Sequence, residues 1–320
     1  MKKIPCHIVA GQLGSGKTTA ILDFLHRRRN SEFTVVLVND YGPNGIDSSV
    51  LADAEAATEV VNISGGCLCC TSTAHFKATF EKLTQMPQVD RIIVEPSGIV
   101  LLDELLKTME ELAQDTPIAM RPVILLAEPS SFNQQRMRGI EYGERLAELA
   151  DIVIANFSDL AAPEETKQFI EWAHTLSPSK LKILSTEFGK LPDVVFDMPG
   201  KAGPQKSSCG KPPATGHNPY PGGLQLDRNL VFKSEALSST IHQIAQSGIG
   251  DAAIHRFKGI FQTPEKPALF EIAHGRVFQR ELENATGNNL DWIASKRLDP
   301  IEMLKVIQQE RSIIGPIVLL

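Results

Sequence analysis

Up to residue 196 the sequence alternates short, β-branched apolar runs with longer stretches in which apolar side chains return every third or fourth position. That alternation predicts parallel strands joined by crossover helices, hence an α/β architecture with a mostly parallel sheet. Strands are expected at 4–10, 34–39, 59–63, 91–94, 122–127, 151–155 and 181–185, and their nearly unbroken apolar character predicts burial on both faces. Between the first two, Ile21, Phe24 and Leu25 share one helical face, and Arg27, Arg28 and Arg29 stand where the negative end of the helix dipole favours cations. Residues 198–226 break the pattern with closely spaced prolines and glycines, which predicts a linker. Past it, a strand at 230–234, a helix at 237–246, strands at 253–262, 268–280 and 290–296 and a helix from Pro300 predict a small α+β unit. The expected domains are therefore 1–197 and 227–320, joined by 198–226.

Composition agrees with that division and removes several function classes. A length of 320 residues suits two domains of roughly 150 residues each. Lys and Arg number 32 against 38 for Asp and Glu, a net charge of -6, which argues against a general binder of nucleic acid. No apolar run approaches the roughly 20 residues of a membrane helix, so no membrane partner is expected. Met1, Lys2 and Lys3 precede an apolar run, but it is short and leads into a glycine loop, so it reads as a first strand and not as a leader. Five cysteines, three of them within 67–70, do not suit an extracellular disulfide framework; reduced thiols in a cytoplasm fit better.

The strongest chemical signal is Gly11-Gln12-Leu13-Gly14-Ser15-Gly16-Lys17-Thr18, a P-loop pattern between an expected strand and an expected helix. Its glycines let backbone amides converge on phosphate oxygens at a helix N-terminus. Lys17 is expected along the β- and γ-phosphates, with the Thr18 hydroxyl on Mg²⁺. Further on, the strand that begins at Arg91 ends in Glu95-Pro96-Ser97-Gly98. Glu95 is expected to hold the same Mg²⁺, and the Gly98 amide to meet the γ-phosphate and sense its loss. Val38-Asn39-Asp40-Tyr41-Gly42 and the downstream Asp47 follow a strand, where a nucleotide-sensing switch can sit; an ordinary polar loop is the competing reading. Asn156-Phe157-Ser158-Asp159 resembles the guanine motif Asn-Lys-x-Asp. Asp159 would accept hydrogen bonds from guanine N1 and N2, groups that adenine lacks, which favours GTP. Phe157 stands where the motif's lysine lies across the base, and its ring can stack there instead.

Gly65-Gly66-Cys67-Leu68-Cys69-Cys70 sets three thiols within four residues. Thiolates suit soft or borderline ions such as Zn²⁺, and a tetrahedral site needs one further ligand, for which Asp40, His75 or a partner's side chain are candidates. A redox pair of neighbouring cysteines and an inert packing role are the alternatives. Cys6 reads as a small buried residue of the first strand, and His7, His26, His174, His242, His255 and His274 show no ligand spacing.

In this order, the P-loop, Asn-Asp-Tyr-Gly, Gly-Gly-Cys-Leu-Cys-Cys, Glu-Pro-Ser-Gly and Asn-Phe-Ser-Asp resemble the CobW-type metallochaperone GTPases, a family that includes cobalamin-associated proteins, zinc-responsive GTPases and nitrile hydratase activators. Arg256-Phe257-Lys258-Gly259 and the strands after it resemble that family's C-terminal domain. The resemblance implies a P-loop GTPase, slow without a partner, whose hydrolytic set is Lys17, Thr18, Glu95 and Gly98. It implies nucleotide binding by Gly14, Ser15, Gly16, Lys17, Thr18, Thr19, Asn156 and Asp159, with Mg²⁺ on Thr18 and Glu95. It further implies Zn²⁺, or another transition metal such as Co²⁺ or Ni²⁺, on Cys67, Cys69 and Cys70, delivery to a client metalloprotein or corrinoid enzyme, and room for a homodimer. Three departures stand out. Asp40 replaces the usual Glu, Phe157 replaces Lys, and the linker carries only Cys209 and His217 where many relatives are histidine-rich, which argues against metal storage there. The expected cycle is that Mg·GTP orders the switch segments and hydrolysis alters metal affinity or client docking. The rival readings are a nucleotide-regulated binding module with a structural zinc, a small-molecule kinase, and a partition-type ATPase, the last disfavoured by Gln12 where such enzymes carry an extra lysine.

Overall fold

A computed structural model describes residues 2–39, 44–52, 58–62, 73–98, 102–130, 141–200, 220–273, 275–309 and 313–314. The chain divides into two compact units, one of residues 1–39 and 55–214, the other of residues 40–54 and 215–320. No described helix is long and apolar enough to cross a membrane.

The first unit is the expected α/β layer structure. From the N-terminus it runs β1 (Ile4–Ala10), α1 (Lys17–Arg28) and β2 (Thr34–Val38). The chain then passes through α2 (Ile46–Ala52), which belongs to the second unit, and returns at β3 (Thr58–Asn62). It continues through α3 (Thr73–Gln85), β4 (Arg91–Glu95), α4 (Leu102–Asp115), β5 (Ile118–Met120), β6 (Ile124–Ala127), α5 (Glu141–Leu149), β7 (Ile152–Ala155), α6 (Pro163–Thr175), β8 (Lys182–Ser185) and α7 (Asp193–Asp197). The sheet order is β3-β2-β4-β1-β6-β7-β8, with β5 beside the first half of β1. All its pairings are parallel, and the registers Ile8 with Val94 and Val9 with Ile124 bring the ends of β4 and β6 level with the end of β1. Every residue of β2, β4, β6 and β7 is buried, as two-faced coverage by helices requires. Helix α4 shows how: Leu102, Leu105, Leu106, Met109 and Leu112 form one apolar stripe packed into the core. The three-residue β5 escaped the sequence pattern because it is too short to show a period.

Buried polarity at the edge of this unit is structural. Arg91 at the start of β4 donates from Nε to Glu32 Oε1 (2.8 Å) and from its terminal nitrogens to His7 Nε2 (2.6 Å) and the Phe196 carbonyl (3.0 Å). Burial, reinforced by the Arg91 and Arg121 charges, holds His7 well below the ordinary histidine range, so it stays neutral and accepts from Arg91. That fits its expected packing role.

The second unit is a five-stranded antiparallel sheet in the order β13-β12-β11-β14-β9, built from β9 (Tyr220–Leu226), β11 (Ile254–Phe261), β12 (Ala268–Ala273), β13 (Arg276–Glu281) and β14 (Asn288–Ala294). A small ribbon pairs β10 (Val231–Phe232) with β15 (Ile313–Ile314), and the helices are α8 (Ser234–Ser247) and α9 (Pro300–Gln309). Leu237, Ile241 and Ile244 of α8 and Met303 and Ile307 of α9 share one core with Phe257, Phe261, Phe270 and Trp292.

Two expectations need correcting. The linker expected over 198–226 gives way at 220–226 to the edge strand β9, where Pro221 can sit because an edge strand has a side that need not donate, and Gly222 faces the Trp292 ring so closely that a Cβ would lie 2.3 Å from its Cε2. The single strand expected over 268–280 is a hairpin of β12 and β13, with Gly275 in the left-handed conformation (φ 74°) between them. Residues 201–219, with Cys209 and His217, lie outside the described residues.

Candidate nucleotide-binding site

Strand β1 delivers the chain into the glycine loop at the carboxyl edge of the parallel sheet, the side on which open α/β folds bind ligands. Gly14 (φ 77°) and Gly16 (φ 89°) take left-handed backbone conformations, and a Cβ on Gly16 would lie 2.3 Å from Asn156 Nδ2. Glycine is therefore required at Gly16 twice, by torsion and by space. Helix α1 starts at Lys17 with no side-chain cap and no acidic residue in its first turn, which leaves its N-terminal amides to an anion. Lys17 is buried and its Nζ donates to the carbonyls of Gly11 (3.0 Å) and Gln12 (3.1 Å), so the loop wraps around the ammonium.

Beside β1, β4 carries Glu95 to the same edge. Thr18 Oγ1 donates to Glu95 Oε1 at 2.7 Å, which joins the first turn of α1 to the end of β4. The Asn39 amide donates to the Glu95 carbonyl (2.9 Å), so the end of β2 is aligned with them. Gly98 lies against the loop: a Cβ there would come within 2.4 Å of Leu13 N. The hydroxyls of Ser15 and Ser97 are buried without a hydrogen-bond partner among the described residues, which is a deficit that phosphate oxygens or their hydration would remove. Oxygen donors at Thr18 and Glu95 suit a hard cation such as Mg²⁺.

The third expected segment closes the site from beneath. Asn156, fully buried at the end of β7, donates from Nδ2 to the Ser15 carbonyl (2.9 Å) and accepts at Oδ1 from the Gly189 amide (3.2 Å). Its side chain thus ties the P-loop to the loop after β8. Asp159 is exposed in the turn after Phe157.

Other expected residues are placed elsewhere or lie outside the described residues. Asp47, expected as a switch residue, sits on α2 in the second unit, where it is buried and paired with Lys258 and with Arg256 (2.8 Å). Burial alone would raise its carboxyl, but the Lys258 and Arg256 charges hold it far below the usual carboxylate range. In sequence Asp47 is only an acid after a strand, because Arg256 and Lys258 stand 209 and 211 residues further on. Asp40, Cys67, Cys69 and Cys70 lie outside the described residues, as does the side chain of His75. Among the described residues, no three His, Cys, Asp or Glu side chains converge as a metal site. Cys6 is buried, and desolvation pushes its thiol far above the ordinary range, as an inert packing cysteine requires. Sequence reasoning missed Glu128, buried just past β6 and accepting from Ser130 Oγ at 2.6 Å, and Gly189 with its loop; neither belongs to a motif, and only strand-end position signalled them.

Comparison with known proteins gives the same picture. A family model described as CobW/HypB/UreG, nucleotide-binding domain, matches residues 5–183. The zinc chaperone YeiR of Escherichia coli (strain K12) is 30% identical over 194 residues, which take in 60% of this chain and 58% of YeiR. The zinc-regulated GTPase metalloprotein activator 1 of Schizosaccharomyces pombe is 28% identical over 200 residues, 60% of this chain and 47% of that protein. The chain thus spans about half the length of these curated relatives. The crystal structure of Zn(II)-bound YjiA GTPase from E. coli superposes with a TM-score of 0.43 at 15% identity, covering 96% of this chain and 98% of that one.

Proposed function

The chain belongs to the CobW/HypB/UreG nucleotide-binding family, and on that premise we propose that it binds and hydrolyses GTP and uses the nucleotide cycle to carry a transition metal to a client metalloprotein. The observation that carries the nucleotide half is the cradle around Lys17 and Thr18: a wrapped ammonium, an uncapped helix N-terminus, two orphaned hydroxyls and the 2.7 Å link from Thr18 to Glu95. Gly14, Ser15, Gly16, Lys17, Thr18 and Thr19 would hold the phosphates. Thr18 and Glu95 would hold Mg²⁺, which neutralises charge on the β- and γ-phosphates when bound. Gly98, packed on Leu13, would feel the γ-phosphate through its amide, and its displacement on hydrolysis would move the segment after β4. Asn156 would keep the P-loop fixed to the base side of the site, and Asp159, exposed beside it, would select guanine.

The metal half rests on the three thiols of Cys67, Cys69 and Cys70, with zinc as the preferred cargo because relatives in this family are zinc chaperones by name and thiolates suit that ion. Co²⁺ and Ni²⁺ are the alternative cargoes, a corrinoid enzyme is one class of client, a homodimer is one form of assembly, and a reducing cytoplasm is the compartment that keeps such thiols free. Phosphate release from GTP and from ATP tests the first step. We expect slow, Mg²⁺-dependent turnover of GTP over ATP that Lys17→Ala abolishes; equal turnover of both nucleotides, or turnover that survives Lys17→Ala, would overturn it.

A further inference from the structure

Among the described residues, two non-glycine positions have positive φ, and both are phenylalanines: Phe157 at 60° and Phe188 at 54°. A bulky side chain in the left-handed region is strained, and such strain collects where a ligand site requires it. The two residues stand on neighbouring loops at the same edge of the sheet, after β7 and after β8. The loops are fastened together. Ser158 donates from its amide (3.2 Å) and from Oγ (3.0 Å) to the Thr186 carbonyl, and the Gly189 amide donates to Asn156 Oδ1 (3.2 Å). Thr186 Oγ1 closes the second loop on the Lys190 carbonyl (2.6 Å).

Both loops lie along the first turn of α1. A Cβ on Gly16 would be 3.4 Å from Phe157 Cζ, and a Cβ on Gly189, next to Phe188, would be 3.2 Å from Thr19 Cγ2 and 3.1 Å from Ala20 N. The Phe157 ring and the backbone that carries Phe188 therefore lie beside the first turn of α1, over which a nucleoside leaves the P-loop, next to the exposed Asp159. Phe157 is half-buried, whereas Phe188 is 63% exposed, a large apolar surface left in water on a loop held by the hydrogen bonds just described. A flat apolar ring fixed in that position suits the face of a purine.

We infer that Phe157 and Phe188 form an aromatic clamp that stacks on the purine base of the bound nucleotide, supplying the contact that the absent lysine of the base motif does not. This rests on guanine-nucleotide binding by the P-loop. Asp159 selects the base by its edge, and the clamp adds affinity for its face. The left-handed backbone at Phe188 is then the conformation that holds the ring at the helix, kept in spite of its strain.

The test uses the full chain and compares GDP with inorganic tripolyphosphate, which engages the P-loop alone. Aromatic stacking contributes about 1–3 kcal/mol per base, so Phe188→Gly should weaken GDP binding by about 5- to 150-fold, leaving tripolyphosphate binding unchanged. Glycine accepts the positive φ without strain, so thermal stability should hold or rise. Phe188→Trp should restore GDP affinity and show indole fluorescence quenching on addition of GDP. Equal loss of GDP and tripolyphosphate affinity, no loss of either, or a lowered Tm with GDP affinity retained would overturn the clamp. A wild-type chain that binds tripolyphosphate and GDP equally would also overturn it while the P-loop reading stands. One that binds neither would overturn the P-loop reading itself.

Discussion

Replacing Asp47 by Asn separates an anchor from a switch. In the structure Asp47 is enclosed within the second unit, with Lys258 on one carboxylate oxygen and Arg256 at 2.8 Å from the other. Removing one partner of a buried ion pair costs about 3–5 kcal/mol, because the remaining charge is left desolvated. Two features reduce that figure here: Glu271 Oε1 stays 2.9 Å from Lys258 Nζ, and the Arg256 side chain retains 14% exposure through which water can reach it. We therefore expect a loss of about 2–3 kcal/mol, which at roughly 4 °C per kcal/mol for a unit of this size lowers its Tm by about 8–12 °C. Differential scanning calorimetry would read it, with GDP titration of the same sample. GDP affinity should match wild type, and Asp47→Asn with Lys258→Met should recover much of the lost Tm, since an apolar replacement leaves no unpaired ammonium. The pH dependence has a definite sign. The folded carboxyl is depressed, so its contribution is complete above the unfolded carboxylate pKa of about 3.9 and is lost as pH falls toward the folded value. The Tm gap between wild type and variant should close on acidification. A Tm unchanged at neutral pH together with a weakened response to GTP would refute the anchor and return Asp47 to the switch.

Three further outcomes follow from close packing and burial. Gly98→Ala sets a Cβ 2.4 Å from the Leu13 amide nitrogen, and overpacking of about 1–3 kcal/mol displaced onto the P-loop should weaken GDP binding by about 5- to 150-fold, read by fluorescence titration of a labelled GDP. Gly222→Ala drives a methyl into the Trp292 indole at 2.3 Å and should destabilise the second unit by about 1–3 kcal/mol in urea denaturation, with GTP turnover retained. Cys6, buried and with its thiol pushed far up, should resist alkylation at pH 8 in the folded chain and react on unfolding, which mass spectrometry of the labelled peptide would detect.

The parallel sheet was legible because both of its faces are covered: strands such as Thr34–Val38 and Arg91–Glu95 are buried throughout and carry unbroken β-branched and aliphatic runs at 35–38 and 92–94. The P-loop and Glu95 were legible because phosphate chemistry restricts residue types at fixed spacing. What escaped depends on distant partners. Pro221, Gly222 and Gly223 look like a linker until Trp292, opposite Gly222, makes glycine necessary and the sheet edge makes proline acceptable. The break between β12 and β13 hangs on the single Gly275 within an otherwise strand-like run. Asp47 looked like a switch acid because Lys258, which holds it, stands 211 residues further on. Phe188 belongs to no motif, and only its backbone torsion and exposure single it out.

The claim that joins the two halves of the proposal is that nucleotide state sets metal affinity. Competitive zinc titration of the reduced full chain, run once with Mg²⁺ and a non-hydrolysable GTP analogue and once with Mg²⁺ and GDP, measures it directly. Since allosteric coupling between sites is typically about 1–3 kcal/mol, a metallochaperone switch should show zinc affinities about 5- to 150-fold apart in the two states, with the difference removed by Cys67→Ala. Equal affinities in both states, or a difference that persists in Cys67→Ala, would contradict it.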